Sequence, residues 1–252
     1  FTSVESSTKD RLKDFGYEVD KIGMSIGTEF EQYENLFFRP ELDFSIEDLE
    51  TNSNATTNLK KQEGSYEDFY FNYGLNYDMR NSTFRPSSGN KTSFFQKLPL
   101  VSTNNELSNT FIFTQYHTLI KSSETVGKAS LYLSSVHSFD NSDVRISKRA
   151  YVPYSRLRGF EKGKVGPKDN EDFIGGNYVT TLNLSTNLPG ILTTVENVDF
   201  SYFIDMGNVW GVDYDSSINK KKYIRRSTGI GLDCLTPIGP LSFSLTQKKK
   251  KK

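Results

Sequence analysis

Cysteine, histidine and long apolar runs are scarce in this sequence of 252 residues. The single cysteine, Cys234, excludes an internal disulfide, and two histidines are too few for a histidine-rich metal site. We therefore predict neither a metal nor a cofactor. No stretch approaches the roughly 18 apolar residues of a transmembrane helix, which excludes a helical membrane protein. Because 31 basic residues balance 31 acidic ones, no net positive field favours a nucleic-acid partner.

Aromatic residues, by contrast, are plentiful and recur at every second position. The clearest run is Asp68–Asp78, where an apolar face opposes a small and polar one: Phe69, Phe71, Tyr73 and Leu75 against Asn72, Gly74 and Asn76. A period of two predicts β-strands rather than helices. We expect an all-β chain without helices and about ten strands, around residues 22–30, 38–46, 68–78, 93–101, 107–113, 129–133, 178–185, 198–205, 230–235 and 241–246.

This alternation has two interpretations, a soluble β-sandwich and a transmembrane β-barrel. A sandwich buries its apolar face against a second sheet, whereas a barrel turns that face to lipid and keeps polar residues in its lumen. The apolar faces here are rich in aromatic residues, and the opposite faces carry Asn, Ser, Asp and Gly with few lysines. This composition favours the barrel.

Four segments carry a more specific signal: Tyr77–Asn81 with Phe84–Pro86 and Gly89, Arg156–Pro167 with Gly175–Asn177, Asp205–Trp210, and Arg226–Gly231 with Thr236–Ser244. In their order and spacing they resemble the C-terminal barrel of the BamA-type outer-membrane assembly factors, in the bacterial surface antigen superfamily. The resemblance extends from about Tyr66 to Gln247. Within it, Pro237–Pro240 is expected to be a tight turn between two strands.

The resemblance also implies a site in the barrel lumen. Arg158, Gly159 and Phe160 match a loop that folds back into the lumen, where the arginine meets acidic residues of the strand interiors. Asp205 matches one acidic partner, and the alternation independently places it on the polar face. Asn183 occupies the expected position of a second acid and carries no charge, so Asp205 should be the main partner. Gly159 is expected to allow a tight bend, and Phe160 to pack against the lumen wall.

The expected fold is therefore an antiparallel transmembrane β-barrel in the cell outer membrane. Residues 1–252 are expected to form a partial barrel domain, about strands 6–15 of a sixteen-strand barrel, without POTRA repeats and without the first and last strands. Lys248–Lys252, after Gln247, are expected to lie in a periplasmic turn. Because the first and last strands form the family's lateral gate, this segment alone is not expected to perform assembly.

The resemblance implies a factor that folds and inserts β-barrel proteins into the outer membrane. Its implied partners are unfolded outer-membrane proteins as clients, accessory lipoproteins, and outer-membrane lipid and lipopolysaccharide. A related translocation barrel, of the two-partner secretion or TamA type, and a passive porin are the alternatives. Gly23–Gly27 satisfies the G-x-S-x-G pattern of hydrolases, but no helical period follows it, so we predict no enzyme.

Overall fold

Antiparallel β-strands form most of the chain in a computed structural model that describes residues 1–140, 142–170, 172–189, 198–213, 218, 223–236 and 239–249. The strands are β1 (Thr2–Arg11), β2 (Tyr17–Gly27), β3 (Phe30–Tyr33), β4 (Leu36–Thr51), β5 (Gly64–Asp78), β6 (Gly89–Ser102), β7 (Glu106–Ile120), β8 (Thr125–Ser138), β9 (Lys168–Asp169), β10 (Asp172–Phe173), β11 (Tyr178–Asn187), β12 (Val198–Trp210), β13 (Arg225–Thr236) and β14 (Gly239–Lys249). Two short helices are α1 (Leu12–Phe15) and α2 (Thr57–Lys60).

One twelve-stranded sheet dominates the described part of the chain, in the order β1-β2-β4-β5-β6-β7-β8-β11-β12-β13-β14, with β3 paired to β4. Each neighbour along this path is antiparallel, and β9 and β10 form a separate small sheet. The predicted all-β, antiparallel fold is confirmed. Two details of the prediction are wrong, the number of strands and the absence of helices.

Of the four missed strands, β1, β3, β9 and β10, the longest is β1, which is held by its pairing rather than by an apolar face. All ten of its residues lie opposite residues of β2, yet Val4 is its one large apolar side chain. Helix α2 was also missed, because a single turn is too short to show a period. The Thr56 side chain accepts a hydrogen bond from the Leu59 amide at 3.4 Å, and Leu59 is fully buried. A cap and one buried residue stabilise this turn.

The two faces of the sheet differ in the way that lipid requires. Exposed apolar side chains recur at alternate strand positions: Ile22, Met24, Ile26, Leu42, Phe44, Ile46, Leu182, Leu184, Tyr202, Ile204, Leu241, Phe243 and Leu245. Met24 lies opposite Phe44, and Phe44 lies opposite Phe69, so these side chains form a continuous apolar surface. The opposite faces bury polar residues: Ser45, Glu47, Asp68, Thr181 and Asp205. Apolar-out and polar-in is the pattern of a membrane barrel.

The strand directions define two ends of the sheet. The long-loop end is where β1, β4, β6, β8 and β12 end, and the short-turn end is where β2, β5, β7, β11 and β13 end. In outer-membrane barrels the longer loops are extracellular and the shorter turns periplasmic.

Lys248 and Lys249 lie at the long-loop end and continue β14, opposite Ser227 and Arg226. The expectation that the lysines form a periplasmic turn is therefore wrong for these two, because backbone pairing with β13 extends the strand through them. Residues 250–252 lie outside the described residues, as do Pro237 and Ile238 of the predicted tight turn.

The core lies on the inner face of the sheet and is built partly from residues 139–177. One buried cluster near the long-loop end joins Tyr17, Leu49 and Leu59 to Ile146 and Ile174. A second joins strand residues to the same segment and comprises Val152, Leu157, Val165, Val179 and Val209. Among the described residues, no helix is long and apolar enough to cross a bilayer.

Candidate functional site

Residues 139–177, which connect β8 to β11, are called the lumen loop. The loop bonds to β4, β5 and β7 through Arg145, and to β12 through Arg158. Strands that are far apart in the sheet order can contact one segment only if the sheet curves around it. The lumen loop therefore occupies the interior of the curved sheet.

Arg158 forms a bidentate ion pair with Asp205 on β12. Its Nε donates to Asp205 Oδ2 at 2.8 Å, its Nη2 donates to Oδ1 at 2.8 Å, and its backbone amide donates to Oδ2 at 3.1 Å. Asp205 is fully buried, and the guanidinium carbon lies 3.3 Å from the centre of the Phe203 ring. The structure thus brings together the two residues that the sequence singled out. A two-point contact of this kind fixes the orientation of the arginine as well as its position.

Asn183 connects the ion pair to the preceding turn of the loop. Its Nδ2 donates to Asp205 Oδ1 at 2.8 Å and to the Arg156 carbonyl at 2.6 Å. Asn183 and Asp205 lie directly opposite one another on β11 and β12. An acid here would place two carboxylates side by side, whereas the amide supplies donors to both acceptors. Asn183 therefore supports Asp205 rather than replacing it.

Gly159 and Phe160 carry the loop towards β14. Gly159 has φ +83°, and a Cβ built there would lie 2.5 Å from Thr246 Cγ2. Only glycine combines this backbone conformation with such close contact. Phe160 packs against the cluster of Val152, Leu157, Val165, Val179 and Val209. Gly159 thus lies at a left-handed bend, and Phe160 packs against residues of both the loop and the strands.

Residues Arg156–Gly159, called the loop tip, also reach β8 through Arg156. Its Nη1 donates to Ser130 Oγ at 3.2 Å, and its guanidinium lies 4.8 Å from the centre of the Tyr132 ring. From Arg156 to Gly159 the chain thus contacts β8, β11, β12 and β14 in turn. The tip lies across the strands rather than along them.

A second ionic cluster, which sequence reasoning missed, holds the first half of the lumen loop. Arg145 is fully buried, and its Nη2 lies 2.6 Å from Asp68 Oδ2 and 3.5 Å from Glu106 Oε2, while its Nε lies 3.5 Å from Glu47 Oε1. The Arg145 amide donates to Glu106 Oε1 at 2.6 Å. Lys148 adds a second cation, with its Nζ 2.8 Å from Asp68. We call these five residues the carboxylate cluster.

The acids of this cluster come from three different strands, β4, β5 and β7. Three carboxylates face two cations, and Ser147 also donates a hydrogen bond to Glu47. The only sequence signal was Asp68 on the polar face of its strand. Arg145 lies in a segment without periodicity, so no pattern could connect it to acids located some 40 to 100 residues away in the chain.

A cavity of about 960 Å³ lies between the loop tip and the short-turn end. Arg156, Arg158 and Asn183 line it on the loop side, and Lys128 lines it nearer the short-turn end. At the short-turn end, Arg85 of the β5–β6 connection pairs with Asp199 of β12 at 2.9 Å. The lumen is thus filled by the loop near one end and contains open volume near the other.

The hydrolase-like pattern Gly23–Gly27 lies inside β2 and not at a turn. Ser25 Oγ lies 2.8 Å from Ser3 Oγ on β1, and the strand continues on both sides of it. The pattern requires a strand, a sharp turn and a helix, which this segment does not form. The described residues also contain no cluster of three or more His, Cys, Asp and Glu side chains suited to a metal.

Comparison with known protein families matches the Omp85 superfamily domain to residues 2–252. The chain belongs to the Omp85 superfamily. A crystal structure of BamA from Haemophilus ducreyi lacking POTRA domains 1–3 is similar to 99% of this Omp85 chain, with a TM-score of 0.86 and 25% identity. The outer membrane protein assembly factor BamA of Neorickettsia risticii (strain Illinois) is 24% identical over 115 residues, or 44% of the chain.

These relatives are longer than this Omp85 chain. The chain covers 55% of the Haemophilus ducreyi structure and 15% of the Neorickettsia risticii protein. The prediction of a BamA-type barrel segment, integral to the outer membrane, is confirmed. The match begins at Thr2, so the first 65 residues, which carry no diagnostic motif, are part of the same domain.

Proposed function

We propose that this chain is part of a factor that assembles β-barrel proteins into the outer membrane. Unfolded outer-membrane proteins would be its clients, and accessory lipoproteins and outer-membrane lipid its partners. The role is non-enzymatic, since assembly makes and breaks no covalent bond in the client. The observation that carries the proposal is the Arg158–Asp205 pair, in a chain similar to two proteins named BamA.

The ion pair supports this role because it keeps the lumen loop in one position. Asp205 is fully buried, so breaking the pair would leave a stranded charge in the wall of the barrel. The loop tip contacts β8, β11, β12 and β14, and it therefore braces this part of the sheet. A lumen occupied in this way argues against the passive porin.

Assembly by the full-length protein in lipid vesicles tests the proposal. Vesicles that contain the wild-type protein should convert an unfolded barrel client into a protease-resistant form, and Arg158→Ala should slow this conversion at least severalfold. Lys13→Ala, an exposed substitution in α1, provides the matched control and should leave the rate unchanged. Single-channel recordings test the alternative function, a passive porin. A wild-type protein that conducts ions steadily and leaves clients unfolded would reject the assembly function.

A further inference from the structure

Three cations on the wall of the lumen cavity lack a carboxylate partner among the described residues: Arg156, Lys128 and the exposed Lys121 at the short-turn end. Arg156 is half-buried and contacts Ser130 Oγ and the Tyr132 ring. Lys128 projects from β8 into the cavity, with its Nζ 5.7 Å from the centre of the Tyr116 ring. Burial lowers the pKa of Arg156, although the nearby Tyr132 opposes this. Arg156 is thus a partly desolvated cation without a counter-ion, which is destabilising, and an anionic ligand would offset that cost. Lys128 is exposed to the cavity and adds a second positive charge.

The acids that line the same cavity are engaged elsewhere or lie at its rim. Asp199 pairs with Arg85 at 2.9 Å, and Asp233 accepts a hydrogen bond from Ser242. Glu124 belongs to the β7–β8 turn at the short-turn end. None of the three pairs with Arg156 or Lys128 within the part of the chain that the structure describes. The inner wall of the cavity is therefore locally positive.

The spacing of Arg156 and Lys128 indicates the shape of the ligand. Lys128 and Ser130, to which Arg156 is bonded, are alternate residues on the same face of β8. Alternate residues of a strand are about 7 Å apart, which is also the repeat of side chains on one face of any extended chain. An extended polypeptide with acids at positions i and i+2 repeats at the same spacing, so it can place one carboxylate beside each cation.

We propose that Arg156 and Lys128 form an anion-binding pair that takes carboxylate side chains at alternate positions of an extended polypeptide in the lumen cavity. The neighbouring Thr114 and Ser185 offer hydroxyl groups on the strands on either side of β8. The cavity volume of about 960 Å³ accommodates a segment of several residues. This inference rests on the proposed function, because an unfolded client is an extended polypeptide.

Binding of labelled heptapeptides to the full-length protein in detergent micelles tests the pair. The first peptide alternates Ser and Glu, the second replaces each Glu by Gln, and the third gathers the same Glu residues into one block. Fluorescence anisotropy should show the tightest binding for the alternating Glu peptide, and its affinity should fall as salt rises. Equal affinity for all three peptides would overturn the proposal.

Substitutions locate the binding. Lys128→Gln and Arg156→Gln should each weaken binding of the alternating peptide roughly tenfold, the effect of losing one charge-assisted contact. Lys13→Gln removes the same charge from an exposed position in α1 at the long-loop end and should have no effect. Because Lys128 lies on β8, its substitution tests the pair even if Arg156→Gln loosens the loop. Unchanged affinity in Lys128→Gln would reject the pair.

Competition and assembly measurements distinguish polypeptide binding from the binding of free anions and from the assembly function. Inorganic phosphate should displace the alternating peptide only at concentrations far above the peptide's own Kd, and displacement at similar concentrations would overturn the polypeptide assignment in favour of free anions. The binding assay involves no client folding. A wild-type protein that assembles clients but binds no alternating peptide would therefore refute the anion-binding pair and leave the proposed function standing. A wild-type protein that binds the peptide but assembles no client would refute only the proposed function.

Discussion

Asp205 accepts hydrogen bonds at all the positions that a carboxylate offers. Three come from Arg158 and one from Asn183. An ionised carboxylate has about four acceptor sites, so no capacity is left for water or another partner. The lumen loop is thus held by a saturated contact, in which the loss of one donor leaves one acceptor site of a buried oxygen unfilled.

A double-mutant cycle should measure the coupling of this pair. Arg158→Ala is expected to destabilise the full-length protein by up to about 3 to 5 kcal/mol, less if water reaches the site, since a quarter of the arginine side chain is exposed. Asp205→Asn should have a similar effect, and the double mutant should lose less than the sum. Thermal unfolding in detergent provides the measurement. Strict additivity would contradict direct pairing, and Arg158→Lys, which keeps only the charge, should fall in between.

Gly159 permits a second test at the scale of single atoms. Gly159→Ala must adopt φ +83° and place its Cβ 2.5 Å from Thr246 Cγ2, so strain and overlap should together cost about 2 to 4 kcal/mol. Thr246→Ala should restore part of this loss because it removes the overlapping methyl group. Gly64→Ala is the control, since Gly64 has φ +143° but no neighbour within 4 Å. If Thr246→Ala rescued both variants equally, the contact would not be the cause.

At the scale of single strands, β5 carries the alternation most clearly. Asp68, Tyr70 and Gly74 are buried on its inner face, whereas Phe69 and Phe71 are partly exposed on the outer face. Spin labels at successive positions from 71 to 76, beyond the buried Asp68 and Tyr70 and in a Cys234→Ser background, should alternate between lipid-accessible and water-accessible. Collision with oxygen and with a water-soluble nickel reagent measures this. A repeat of three to four residues would contradict the strand.

The lumen loop as an element is held at two independent points, the carboxylate cluster and the Arg158–Asp205 pair. Arg145→Ala should destabilise the protein by about 3 to 5 kcal/mol, because three buried carboxylates lose their central cation. Asp68→Asn should cost less, since it brings the cluster nearer to charge balance. The two anchors share no partner, so Arg145→Ala and Arg158→Ala should be close to additive. Limited proteolysis of the loop, alongside thermal unfolding, would reveal any coupling.

The sequence predicted the elements whose structure depends on residues close to one another in the chain. Alternation marked the strands that have an apolar face, and Asp205 could be placed inward from its own neighbours. Strand β1 was missed because Ser, Thr and charged residues give no period, although its backbone pairs fully with β2. Arg145 was missed because its partners lie on β4, β5 and β7, and such contacts depend on the curvature of the whole sheet.

At the scale of the whole molecule, the two ends of the sheet determine how these residues behave alone. β1 and β14 each have one strand neighbour in the described structure. Unpaired backbone groups are not tolerated in lipid. A polypeptide of only these 252 residues should therefore aggregate or pair with other copies when refolded in detergent. A monomer whose electrophoretic mobility changes on heating and which resists protease would disprove this.

The transverse path of the loop tip has a mechanical consequence. The tip is joined to β8 through Arg156, to β11 through Asn183, to β12 through Arg158 and to β14 through Gly159. These contacts lie at nearly the same depth in the sheet. A strand that slid by one residue would turn its lumen contacts towards lipid, so the tip opposes sliding in every strand it touches. Under a pulling force applied at the end of β14, we expect β11 to β14 to leave the membrane in one step, with stepwise release of hairpins appearing only once Arg158 is replaced.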